Sequence, residues 1–142
     1  TGLYESLIKY LNTYEKQYQI TASLKTTGKE QPIPSETKIF IFRIIQEALA
    51  NVQKHSEASK VVVQVGTGKG ILNASIVDNG VGFHPVEQSQ PMEKGTSFGL
   101  KVISERARLL GGSAKITSRK KVGTRVIIQV PLKTAGESLE EN

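Results

Sequence analysis

Apolar residues recur at helical spacing over residues 3–18, where Leu3, Tyr4, Leu7, Ile8, Leu11, Tyr14 and Tyr18 gather on one side and polar groups on the other. That spacing predicts an amphipathic helix that packs by one face. Residues 19–26 alternate through Ile20, Ala22 and Leu24 and predict a short strand, and residues 28–34, with two prolines, read as a connector. Ser35 is expected to cap a long helix running through His55, with Ile39, Phe42, Ile45, Ala48, Leu49 and Val52 as its apolar stripe. Val61, Val63 and Val65 alternate along the next strand, residues 71–78 make another, and Thr67, Gly68, Lys69 and Gly70 are predicted to turn between them.

From 80 to 97 the chain is polar and without a period. A structureless stretch of that length inside a compact domain is usually a functional lid. Helical spacing returns over 100–110 and stops at Gly111-Gly112, and two last strands, 113–118 and 124–132, flank the turn that holds Arg119, Lys120, Lys121, Val122 and Gly123. The order is helix, strand, helix, strand, strand, lid, helix, strand, strand. It predicts an α/β (α+β) fold, a two-layer sandwich with a mixed, mostly antiparallel sheet and its helices on one face. Residues 1–132 are expected to form one domain and 133–142 a polar, disordered tail.

Composition narrows the class. A chain of 142 residues, 37% hydrophobic and 23% charged, suits one soluble globular domain. With no cysteine, a disulfide framework and cysteine-held zinc are excluded, and no apolar run approaches the ~18–20 residues of a membrane span. The first residues, Thr1-Gly2, lack an initiator Met, which fits a piece of a longer protein whose other parts hold any membrane helices. A net charge of +6 favours anionic partners, namely nucleotide, nucleic acid, an acidic protein or membrane headgroups, without choosing among them.

Candidate chemistry lies at four places. Glu47, Asn51 and His55 are spaced i, i+4, i+8, which stacks them on one helix face. An Asn oxygen can ligate Mg²⁺, a hard cation that takes its other ligands from water and phosphate; the bland alternative is a solvated polar face. Zinc at Glu47 and His55 lacks both the i, i+4 His pair and a third ligand. Asp78 ends an apolar strand and opens Asp78-Asn79-Gly80-Val81-Gly82-Phe83. Its carboxylate can accept the amino hydrogens of a purine, and Gly80 and Gly82 let backbone approach a flat ligand. An Asn-Gly turn without any ligand is the alternative. Gly95-Thr96-Ser97-Phe98-Gly99-Leu100 feeds a helix N-terminus, where unpaired N–H groups suit phosphate, although a plain loop-to-helix junction looks the same. Thr124, after Gly123, offers a hydroxyl beside Asp78.

Together these elements resemble the GHKL ATPase superfamily of gyrase, Hsp90, MutL and histidine kinases, over residues 3–132. Within it the chain is similar to the catalytic domain of a bacterial two-component sensor kinase of the NarL-partner, DegS-like type. The N box is carried by the run from Gln46 through Asn51 to His55, the G1 box by Asp78-Asn79-Gly80-Val81-Gly82-Phe83, and the G2 region by Gly95, Ser97, Phe98, Gly99 and Leu100. Glu105-Arg106-Ala107 and Gly123-Thr124 also fit.

The resemblance implies ATP and Mg²⁺ as cofactors. Asn51 would hold the metal, Glu47 would orient or activate a group near the γ-phosphate, and Lys54 would offset phosphate charge. His55 would lie in the nucleotide site. Asp78 would bind adenine, Asn79, Gly80 and Gly82 would shape its pocket with Thr124 at the edge, and the G2 residues would close over the phosphates. Ser97 stands where the family pattern has the first glycine of Gly-x-Gly-Leu. The expected partners are a histidine-bearing dimerisation domain of the parent kinase and a response regulator, in the cytoplasm, with no direct nucleic-acid or membrane contact. The only histidines, His55 and His84, do not sit on an early helix, so the phosphoacceptor is expected outside this chain and autophosphorylation by the chain alone is expected to be weak or absent. The competing expectations are a serine kinase of the anti-sigma type, an ATPase that activates water through Glu47, and a basic binding module built on Lys115, Arg119, Lys120, Lys121 and Arg125.

Overall fold

Two-residue alternation lays out the sheet. The structure, a computed structural model, describes residues 2–82 and 94–132, with only the helical backbone described for 94–99. The strands are β1 (Thr21–Thr27), β2 (Lys60–Gly68), β3 (Ile71–Asp78), β4 (Ser113–Arg119) and β5 (Gly123–Pro131), in the spatial order β1-β2-β3-β5-β4. Only β1 and β2 run parallel, and the other three pairings are antiparallel, as the sequence predicts. Val61, Val63, Val65, Leu72, Ala74, Ile76, Val126, Ile128 and Val130 are buried on one face. Helices α1 (Leu3–Tyr18), α2 (Ser35–Asn51) and α3 (Lys94–Leu109) join them in one core through Leu3, Leu7, Leu11, Tyr14, Ile41, Ile44, Ile45, Ala48, Leu49, Ile103 and Ala107. Burying each such large aliphatic side chain is worth roughly 1.5–3 kcal/mol. No described element covers the opposite face of the sheet.

Several boundaries differ from those the sequence predicts. Ser35 does not cap α2: Pro34 occupies that position and its carbonyl accepts the Lys38 N–H at 2.9 Å, so Ser35 already lies in the first turn. Ile45, Ala48, Leu49 and Val52 of the expected stripe are buried, whereas at its start Ile39 is 55% exposed and Ile41 is fully buried instead. Packing against the sheet selects which isoleucine of the first turns faces inward. The long helix also does not reach His55 in one register. It becomes a π-helical turn at Val52–Ser56, closed by Glu57 in the left-handed region at φ 55°. The wider turn removes His55 from the straight line with Glu47 and Asn51.

The β2–β3 turn is tighter than predicted. Only Lys69 and Gly70 separate the strands, both with positive φ (55° and 74°), the two-residue form whose twist matches a hairpin. Helix α3 begins at Lys94, so 95–99 lie within its first turns and not ahead of them. Gly95, Thr96 and Ser97 fall in the first turn, where N–H groups have no helical partner, whereas Gly99 and Leu100 lie beyond it. The rest of the expected lid, 83–93, and the tail, 133–142, lie outside the described residues.

Candidate functional site

The two central candidate residues end their elements, Asn51 the helix α2 and Asp78 the strand β3. Asp78 is the last residue of β3 and continues the inward phase of Leu72, Ala74 and Ile76, so its carboxylate faces the helix layer and is only 7% exposed. Burial raises its pKa above the ordinary aspartate value, partly opposed by hydrogen bonds from the backbone N–H groups of Gly80 and Thr124. The Gly80 N–H lies 2.8 Å from Oδ1. A desolvated carboxylate with acceptor capacity left is suited to a ligand that brings its own N–H donors.

The loop after Asp78 is clamped from both sides. Val81 donates its N–H to the Ser56 carbonyl at 2.7 Å, and its own carbonyl accepts the Lys121 N–H. The π-helical turn thus brings Ser56 onto the glycine loop. A Cβ at Gly80 would collide with the Ser56 backbone, and one at Gly82 (φ 62°) with the carbonyl of Arg119. Only glycine lets three backbone segments meet this closely. Asn79 has a different task from that expected of it. Its Oδ1 accepts the N–H groups of Ser59 and Lys60, each at 3.0 Å, and its Nδ2 donates to Ser59 Oγ at 2.9 Å. These bonds fasten the start of β2 to the end of β3 and leave the side chain committed there.

Thr124 is the register partner of Asp78 across β3 and β5. Its hydroxyl is 2.9 Å from that of buried Ser118, which also donates to the Gly123 carbonyl at 3.2 Å. Ser118 was not among the predicted site residues. The available signal was its place opposite Thr124 across the β4–β5 turn, but that requires the register of the turn to be known.

On α2, Asn51 Nδ2 is sealed from solvent and has no hydrogen-bond partner. Such an orphan costs roughly 1–3 kcal/mol. Turning the amide over exchanges donor for acceptor, so the position fits an oxygen ligand for a hard cation. Glu47 and His55 are half-buried and Lys54 is exposed. Among the described residues no cluster of three or more His, Cys, Asp or Glu is placed to hold a metal. Leu100 is half-buried on α3. For Gly95, Ser97, Phe98 and Gly99 only the helical backbone is described.

Tyr14 is a further residue the sequence did not single out. From α1 its hydroxyl donates to the Leu49 carbonyl at 2.7 Å, two residues before Asn51 and just ahead of the π-helical turn. Burial pushes its pKa well above the ordinary phenol range, and Tyr10, Tyr18 and Asp78 add to the shift. It therefore remains a donor throughout the physiological range.

Asp78 and Asn51 thus lie on the same side of the sheet and at the same end of the sandwich, joined through the Ser56–Val81 hydrogen bond. The hollow of about 540 Å³ that borders Asp78 opens on the other side, among Val62, Val77 and Arg125, and no residue of α2 lines it.

Known proteins resemble this chain over most of its length. The family profile for "Histidine kinase-, DNA gyrase B-, and HSP90-like ATPase" matches residues 36–134. The chain is 38% identical over 133 residues to the signal transduction histidine-protein kinase/phosphatase DegS of Brevibacillus brevis, covering 94% of this chain and 33% of that protein. It is 35% identical to the sensor histidine kinase LiaS of Bacillus subtilis (92% and 34% covered) and 32% to the oxygen sensor histidine kinase NreB of Staphylococcus carnosus (92% and 37%). The chain therefore spans about a third of the length of these relatives. Its fold is shared with the histidine kinase AdeS of Acinetobacter baumannii (TM-score 0.70, 16% identity, 93% of this chain and 64% of that one). It is also shared with full-length ShkA in complex with AMPPNP (TM-score 0.75, 18% identity, 94% and 30%). The GHKL fold expected from the sequence is the fold observed, and the chain belongs to the histidine kinase-, DNA gyrase B- and HSP90-like ATPases.

Proposed function

We propose that this chain binds ATP with Mg²⁺ between α2 and the end of β3. It then presents the γ-phosphate to a histidine on a dimerisation domain carried elsewhere in the parent sensor kinase. The observation that carries this is the pairing of a buried inward carboxylate, Asp78, with a sealed and unpartnered amide, Asn51, at one end of one layer. Asp78 accepts the adenine amino group. Gly80 and Gly82 keep the pocket floor flat, and Thr124, held by Ser118, lines its edge. Asn51 ligates Mg²⁺, which when bound neutralises phosphate charge. Lys54, exposed on the π-helical turn, approaches the phosphates from solvent, His55 borders them, and Glu47 orients the group beside the γ-phosphate. The first-turn N–H groups of α3, at Gly95 and Ser97, offer an anion site, with Phe98, Gly99 and Leu100 on the same helix.

Phosphoryl transfer depends mainly on positioning and on neutralising charge. These residues supply both to the donor; the acceptor histidine belongs to another domain. A response regulator then receives the phosphoryl group, in the cytoplasm. The names of the relatives favour this reading over a serine kinase or a simple ATPase on the same fold.

The test is calorimetric titration with a non-hydrolysable ATP analogue, with and without Mg²⁺. Asp78→Asn is expected to weaken binding at least about ten-fold, the equivalent of one hydrogen bond to a charged group. Asn51→Ala is expected to remove the gain that Mg²⁺ brings. Unchanged affinity in both variants refutes the site.

A further inference from the structure

The described carboxylates avoid the outer face of the sheet. Of the described carboxylates, Glu5, Glu15, Glu36, Glu47 and Glu105 lie on helices, Glu30 and Glu57 lie on connections, and Asp78 points inward. The face of the sheet turned away from the helices carries Lys25, Lys60, Lys115, Arg119 and Arg125, all exposed, and no described carboxylate. None of these five forms an ion pair with a described residue. A merely solvated sheet face normally mixes both signs and places opposite charges across strands.

The face is not uniformly polar either. Val62 and Val77 are register partners at its centre, both half-buried, and Arg125 lies opposite Val77 on the next strand. With Val122, which is 61% exposed, these valines floor the hollow of about 540 Å³, and Lys60, Arg119 and Arg125 ring it. A second hollow of about 570 Å³ shares Arg125 and adds Ile127, Gln64 and Ser75. Five strands of this length give a face of roughly 600 Å², on the scale of the ~800 Å² that each partner buries in a standard interface.

An apolar centre inside a charged rim is the anatomy of a protein–protein contact. Single-stranded nucleic acid calls for stacking aromatics between basic residues, and no Tyr or Phe lies on any of the five strands. We infer that the open sheet face, centred on Val62 and Val77 and rimmed by Lys25, Lys60, Lys115, Arg119 and Arg125, docks an acidic protein segment that sets aliphatic side chains between carboxylates.

The test titrates the full chain with a short peptide of glutamates interrupted by leucines and follows backbone amide resonances. Shifts are expected along β2, β3, β5 and β4 on the open face. The double reversal Lys115→Glu/Arg125→Glu is expected to weaken binding at least about ten-fold. Lys16→Glu/Lys101→Glu, an equal change in net charge placed on the helix layer, is expected to leave binding within about two-fold, since exposed charges more than a Debye length away are largely screened. Binding of the ATP analogue by the first variant, unchanged, certifies that it is folded. Equal losses in both variants reduce the effect to net charge and overturn the inference. So does equal affinity for leucine-free polyglutamate, or tighter binding of duplex DNA or phosphatidylglycerol vesicles to the same face.

Discussion

Asp78 meets two opposed demands, and they make its substitution informative. Its pKa is higher in the folded chain than in the unfolded one because burial outweighs the two backbone donors. A raised carboxyl pKa means that the folded state holds the proton longer. Its contribution to stability is present below the unfolded value and is lost as pH rises through the folded one. Above the folded value the ionised carboxylate therefore costs stability, and there Asp78→Asn is expected to melt at a higher temperature while binding nucleotide worse. In thermal melts the gap should close as the pH falls below the unfolded value near 3.8; a gap constant with pH would contradict the burial argument. Gly80→Ala makes a separate case, because its new methyl group meets main chain at Ser56, which cannot swing aside. A loss of about 1–3 kcal/mol in urea unfolding is expected. At this scale the sequence marks Asn51, Asp78 and the glycines as candidates, since their types and spacing are local. It does not mark Ser118, Tyr14 or the clamp made by Asn79, because each depends on a partner distant in sequence or on an exact strand register.

Among elements, the π-helical turn Val52–Ser56 is what couples α2 to the glycine loop, and Tyr14 is the bolt beside it. Replacing a hydroxyl while keeping the ring isolates that bolt. Tyr14→Phe is expected to cost about 1 kcal/mol of stability and to diminish the Mg²⁺-dependent part of ATP-analogue affinity while leaving the Mg²⁺-free part intact. Should Asn51→Ala abolish that part and Tyr14→Phe leave it whole, Tyr14 is a packing residue only. If neither variant alters it, the metal assignment itself fails. Helix α1, the central strands and the existence of α2 and α3 follow from period alone. Which isoleucine begins the α2 stripe does not, nor does the shift from α to π geometry. Ile39 and Ile41 are equally apolar, and only the sheet beneath decides which is buried.

For the whole molecule the expectation concerns what the chain cannot do alone. With ATP and Mg²⁺ it is expected to bind nucleotide yet acquire no stable phosphate label. Supplying a histidine-bearing dimerisation domain from the same parent should yield a label that acid removes, whereas an acid-stable label would identify a serine kinase instead. What the sequence determined by itself was the class of layer, the mostly antiparallel sheet and the candidate residues for a purine and a cation, because period-two and period-3.6 patterns and residue chemistry are local properties. Tertiary structure alone decided that Asp78 and Asn51 share one end of one layer, that Ser56 closes on Val81, and that the strand cations collect on the face the helices leave open. Those outcomes come from strand order and register. They are set by which surfaces the packed core buries together, and no single stretch of chain contains that information.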